Sequence, residues 1–269
     1  MRVMAIPALL LAAACHQQVA QPQEITFDGA QVSNAADMRA HGERLTHVLG
    51  CAGCHGDHLQ GEQFEPEKTQ YGPLYASNLT VEVPVYSDAE LDGILRRGVH
   101  PRRATVWVMP SQIFQHLSRA DENALIGYLR SLRPVGGKLP PPQFNALDRK
   151  EIASGRFKSA VQLVNEEKAQ LPTDVGPQYE LGRYITEVTC AECHGPKLEG
   201  RPGHTPDLVA AGAYSRSEFE RLITKGVPTG GRTLKPIMSD VAKYRFSALT
   251  PHERDAVYAY LKARSQKVE

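Results

Sequence analysis

Apolar residues recur at helical spacing over most of the chain, and no segment shows the sustained two-residue alternation that marks a sheet. The segments MRAHGERLTHVLG and PQYELGRYITEVT each carry one apolar face. A Gly- and Pro-bearing loop follows each of them, EPEKTQYGPLYASNLT and RPGHTPDLVAAG. A short helix comes next, capped by Ser87 ahead of DAELDGILRRG and by Ser215 or Ser217 ahead of EFERLITKG, with glycine closing both. A last helix starts at Ser118, with Leu125, Tyr128 and Leu129 at helical spacing. Its counterpart starts at Thr250 and carries Val257, Tyr260 and Leu261.

The same order of features therefore occurs twice. Cys51 and Cys190, His55 and His194, and Gly61 and Gly200 each lie 139 positions apart. The offset falls to 128 between RRGV and TKGV, and is 132 between LSRADENALIGYLRSL and LTPHERDAVYAYLKAR. This is a duplication whose loops have changed length. The pattern predicts an all-α protein with a leader over 1–14, an N-terminal tether over 15–35, and helical domains over 36–134 and 177–269. The linker over 135–176 opens on PVGGKLPPPQF, whose prolines favour a stiff, extended start. Within it, residues 146–169 read as one helix lying across both units.

Composition narrows the choice of chemistry. A formal charge of +1 and 41% hydrophobic residues fit neither a nucleic-acid binder nor a disordered chain. Aromatic residues make up 7%, with one Trp, which is thin for two small cores; a large apolar cofactor would fill them. The start, MRVMAIPALLLAAAC, reads as an export signal, and no other stretch approaches the roughly eighteen apolar residues needed to span a bilayer. Cys15 stands where a bacterial lipoprotein signal places its acylated cysteine, although an ordinary cleavable signal would also fit. Acylation would remove a lone thiol from an oxidising compartment.

The remaining four cysteines occupy GCAGCHGDHLQG (50–61) and TCAECHGPKLEG (189–200). Two thiols and an imidazole in CxxCH emerge together at one helical turn, the attachment pattern of a c-type haem. Cys51 and Cys54, and Cys190 and Cys193, would form thioethers to two haem c groups, with His55 and His194 as proximal iron ligands. A four-cysteine zinc site keeps its pairs roughly 15–20 residues apart, far closer than here. A thioredoxin-like site needs a βαβ context, and paired disulfides leave the repeat unexplained.

Elimination points to the distal ligands. Met1 and Met4 lie in the signal, and Met38 lies upstream of the first cysteine. One methionine remains downstream of each motif: Met109 in VWVMPS, 54 positions after His55, and Met238 in LKPIMS, 44 after His194. Both fall in a loop before the final helix. The competing histidines, His58, His100 and His116 in one copy and His204 and His252 in the other, do not match in position. Thioether ligation favours reduced iron and fills the sixth position, which suits electron transfer rather than substrate binding. A di-haem peroxidase or thiosulfate-oxidising enzyme, the alternative, needs an open or unusual distal position.

With CxxCH, the late methionine and the repeated helices in view, the chain resembles a di-haem class I cytochrome c. The stretch from YASNLTVEV to YLRSLRPV is similar to cytochrome subunits of periplasmic membrane-bound alcohol and sugar-acid dehydrogenases, which commonly carry three haem units. The resemblance implies two tandem cytochrome c-like domains, each wrapped round one haem. It implies an electron carrier of the bacterial periplasm, not itself an enzyme, between a dehydrogenase or quinol-linked donor and a terminal oxidase or soluble cytochrome. It also implies a backbone carbonyl holding each proximal imidazole: Pro206 of TPDL in the second copy, and Ser77, with Pro73 as the alternative, in the first. RRGVHPRR (96–103) is open to two readings, a patch for an acidic partner or propionates, or a solvated helix end. Trp107 either shields the haem edge or simply packs in the ligand loop.

Overall fold

In the computed structural model, which describes residues 24–65 and 70–267, α1 (Ala35–Val48) opens the first copy. Asn34 caps it by accepting the Asp37 amide. Left-handed Gly50 then turns the chain into α2 (Cys51–His55). β1 (Glu62–Glu65) and β2 (Leu74–Ala76) pair antiparallel, with a register shift between Gln63 and Glu65. Next come α3 (Leu79–Glu82), α4 (Asp88–Arg97), α5 (Ser111–Phe114) and α6 (Arg119–Ser131). The connecting segment forms α7 (Ala146–Ala153) and α8 (Ala160–Glu167). The second copy contains α9 (Glu180–Thr189), α10 (Ala191–His194), α11 (Arg216–Lys225), α12 (Pro236–Asp240) and α13 (Pro251–Lys267). No described helix is long and apolar enough to cross a membrane, and the export signal with Cys15, Met1 and Met4 lies outside the described residues.

Local chemistry sets the helix ends. Ser87 with Glu90 and Ser215 with Glu218 form reciprocal capping boxes, and left-handed Gly98 and Gly226 close α4 and α11. Ser215, not Ser217, is the cap. Ser118 caps α6, and Thr250 and Glu253 exchange hydrogen bonds at the start of α13.

Two expectations need correction. The first loop contains a short hairpin, whose strands of four and three residues are too brief to leave a visible alternation. The single helix expected over 146–169 is two helices. Gly155 at φ +72° breaks the run, and Ser159 caps a fresh start with Gln162. Nor does the pair lie evenly across both copies. Asp148 of α7 accepts the Gly72 amide, Ala160 N donates to Val106 O, and α8 packs on α4 and α5. Its far end reaches the second copy, where Glu167 faces Arg201 at 3.6 Å.

In each copy the first helix crosses the last at a glycine. A Cβ on Gly42 of α1 would stand 2.1 Å from Ala124 O and 2.7 Å from Tyr128 Cβ of α6. A Cβ on Gly182 of α9 would stand 2.1 Å from Ala256 O and 2.6 Å from Tyr260 Cβ of α13. Only a bare Cα permits backbones this close.

The two copies share one apolar cluster, running from Leu45, Leu125 and Leu129 to Ile185, Val188 and Leu261. Phe27 meets Tyr184 edge-on with ring centroids 5.5 Å apart. The Tyr184 hydroxyl donates to Asp121 Oδ2 at 2.7 Å and accepts from the Ser118 amide at 3.0 Å. Asp121 is fully buried and also accepts from Phe27 N, while His41 Nε2 lies 2.8 Å from its other oxygen. Nearby, His116 Nδ1 approaches Glu187 Oε1 at 3.1 Å. Burial drives the Glu187 carboxyl up to about 7 and the His116 imidazole down to about 4.

Candidate functional site

The first CxxCH turn opens on a cleft of about 370 Å³. Its wall brings together Cys51, Cys54, His55 and Met109, residues separated by up to 58 positions in sequence. Apolar side chains such as Val83, Leu91, Leu95 and Phe114 supply much of the rest. Such a lining suits a flat, apolar macrocycle and keeps water from its faces.

His55 is held by one specific contact: its Nδ1 lies 2.7 Å from Ser77 O. A carbonyl can only accept, so Nδ1 carries the proton and Nε2 keeps its lone pair for a metal. Burial lowers the His55 pKa, against the opposing influence of the Ser77 bond, and keeps the ring neutral. His194 repeats the arrangement, with Nδ1 2.8 Å from Pro206 O and a pKa lowered by burial.

The residue after each carbonyl clamps its loop to the end of the copy. Asn78 donates through Nδ2 to Val135 O at 2.7 Å and Gly137 O at 3.1 Å, just beyond α6. Asp207 accepts from Arg264 Nη1 at 2.8 Å, and Arg264, which is buried in α13, also donates to Lys197 O at 2.9 Å. Neither clamp was anticipated from sequence, although each follows its carbonyl directly in SNL and TPDL.

The cysteines are free thiols, half-buried beside their neighbours. Burial pushes Cys51 up to about 12 and Cys190 up to about 11, with Cys54 and Cys193 raised for the same leading reason. Thiols kept neutral by burial are poor redox nucleophiles. Both CxxCH turns thus fit covalent haem by donor chemistry: two thiols, and a neutral imidazole with its far nitrogen free.

Met109 follows Val108, which has φ +66°, and precedes Pro110 in the loop before α5. Met238 differs from expectation. Pro236 at the first helical position starts a single turn, so Met238 lies in α12 rather than in a loop. A π-turn (Val241–Arg245) and a 3-10 turn (Phe246–Ala248) then separate it from α13. Both methionines pack on the shared apolar cluster, as does Cys190. His100 lines the first cleft, but both its nitrogens are engaged. Nδ1 accepts from Arg102 N at 3.1 Å, and Nε2 faces Arg103 Nη2 at 2.9 Å and the Tyr86 hydroxyl at 3.3 Å. Pro73 O accepts the Gln143 amide at 3.1 Å, so of the two carbonyls expected for His55 it is Ser77 that lies beside the ring.

The arginines of 96–103 divide. Arg96 is structural, donating to Glu122 Oε2 at 2.6 Å and Gln115 O at 2.7 Å. Arg97 pairs with Asp92, Arg102 stacks over Tyr86, and Arg103 reaches the cleft wall. Trp107 also lines the cleft, braced by Phe144 and Phe157 of the connecting segment at centroid distances of 5.0 and 5.2 Å.

No curated protein matches the chain. Residues 179–265, which include the second CxxCH turn, His194, Pro206 and Met238, match the family model described as Cytochrome c, a cytochrome c domain that implies a covalently bound haem c and supports a haem-based electron-transfer role.

Proposed function

We propose that the chain is a di-haem c-type cytochrome with tandem domains over 36–134 and 177–269. Cys51 and Cys54 would attach one haem c and Cys190 and Cys193 the other. His55 with Met109, and His194 with Met238, would be the axial ligands. The observation that carries this reading is the pair of equivalent imidazole–carbonyl contacts, His55 to Ser77 O at 2.7 Å and His194 to Pro206 O at 2.8 Å. A duplicated structural element needs no such repeat of a metal-ligand posture, whereas two haem sites need it at both places.

A bound haem supplies one-electron chemistry between ferrous and ferric iron. The chain's residues do the rest. The Ser77 and Pro206 carbonyls fix each ring and its tautomer. Asn78 ties its carbonyl loop to the chain just beyond α6, Arg264 ties the other to α13, and the apolar wall around Met109 excludes water. Met109 and Met238 would each offer a sulfur to the iron, leaving no place for a substrate, which suits electron transfer. Its place is the bacterial periplasm, held to a membrane by lipid on Cys15. There it links a dehydrogenase or quinol-linked donor to an oxidase or soluble cytochrome.

Intact-mass measurement of the mature protein from its native host tests the reading: two covalently added haems are expected, and one or none overturns it. Peroxide-dependent turnover with two haems present would favour the peroxidase alternative instead.

A further inference from the structure

Arg245 ends the π-turn of the second copy, yet its guanidinium lies against the first. Its Nη1 donates to Glu192 Oε2 at 2.8 Å, and Glu192 belongs to the second CxxCH turn. Its Nε donates to Val48 O at 3.3 Å, in α1 of the other copy. A Cβ on Gly50, the residue before Cys51, would come within 2.7 Å of Arg245 Cζ. Glu192 in turn lines the first cleft beside Gly50, Cys51 and Cys54. The ion pair, both of whose partners belong to the second copy, therefore sits between the two attachment turns, and the arginine side chain is only 13% exposed.

We propose that Arg245 is a shared charge in the seam between two haems, raising both reduction potentials together while Glu192 offsets part of its effect. The inference rests on the di-haem reading above. Oxidation adds positive charge to a haem, so a fixed cation nearby favours the ferrous state and a carboxylate favours the ferric. Little solvent reaches the guanidinium to screen it. One Arg245 Nη2 remains buried without a partner among the described residues, so the pair does not consume all its donor capacity. Arg245 is a positioning residue, acting on the iron through space rather than as a ligand.

The test is a spectroelectrochemical titration of the full holoprotein, after its haem count is taken by mass. In Arg245→Gln both couples shift toward ferric by about tenfold in the ferrous/ferric ratio, about 59 mV for a one-electron couple. Glu192→Gln moves both the other way, and Arg245→Lys restores most of the native values. Two haems with only one couple moved by Arg245→Gln, or neither, overturns the inference alone. A single haem in the native protein overturns the di-haem reading and the inference with it. Should Arg245→Gln fail to load haem, Glu192→Gln decides: a rise at both couples sustains the proposal, and unchanged potentials refute it.

Discussion

Alanine in place of Gly42 sets two effects against each other. In an exposed helix this change stabilises, by about 1 kcal/mol of helix propensity. Here the new methyl would meet Ala124 O at 2.1 Å and Tyr128 Cβ at 2.7 Å, one a backbone atom and the other a side-chain root. Neither can swing aside, so α1 and α6 must part by roughly 1 Å, forfeiting a quarter to a half of the dispersion at the crossing. Overpacking of this kind costs about 1–3 kcal/mol, and the rigidity of the opposing atoms places it at the upper end. The net expectation is a loss of about 2 kcal/mol, with a fall in melting temperature of roughly 4–8 °C for a chain of this size. Urea unfolding of the holoprotein, followed by far-UV circular dichroism, measures it. Gly182→Ala should give a similar loss, because Ala256 O stands at the same 2.1 Å from its added Cβ. A Gly42→Ala protein as stable as the native one, or more so, would refute the claim that helix approach rather than propensity governs this position.

Three further outcomes are expected. Tyr184→Phe removes a hydrogen bond to buried Asp121 and orphans the Ser118 amide, so stability should drop by about 3 kcal/mol in denaturant titration; a change below about 0.5 kcal/mol would contradict the geometry. If the proposed di-haem ligation is right, Met109→Ala opens one coordination position, giving a high-spin signal and carbon monoxide binding at one of two haems, with Met238→Ala doing the same at the other; an unchanged low-spin spectrum would count against that methionine as a ligand. Glu187 has a folded pKa raised by burial from 4.5 to about 7, so the fold binds its proton more tightly than the unfolded chain does. Its stabilising contribution is full below pH 4.5 and is lost as pH rises through about 7, so the stability of the native protein relative to Glu187→Gln should fall across that window; a flat difference would refute it.

The two CxxCH turns and their imidazole–carbonyl contacts were legible because they are local. CxxCH is a contiguous string, and the carbonyl partners Ser77 and Pro206 lie in short strings that a family resemblance could mark. Helix caps were legible for the same reason, since Ser87, Ser118 and Thr250 act within four residues of themselves. The misses involve information that sequence does not hold in one place. The roles of Gly42 and Gly182 emerge only with the opposing Ala124 and Ala256 carbonyls in place. Arg245 and Glu192 are an ordinary surface pair until α1 and α10 are brought together. The connecting segment misled because residues 146–169 favour helix apart from one glycine, yet Gly155 in a left-handed conformation is enough to divide it. His100 was set aside as a ligand because no histidine matches it in the second copy, and its neighbours Arg102, Arg103 and Tyr86 occupy both ring nitrogens.

The apolar cluster running from Leu45 to Leu261 bears on anyone who would shorten this gene. The stretch recognisable as cytochrome c, 179–265, looks like a natural cassette to clone by itself. Severed from its neighbour, it would carry a raw flank. The Tyr184 ring would lose Phe27, its hydroxyl would lose Asp121, and Glu192 and Arg245 would face solvent beside bare Ile185 and Val188. Such a fragment should clump in the expression host unless that flank is first rewritten with polar side chains.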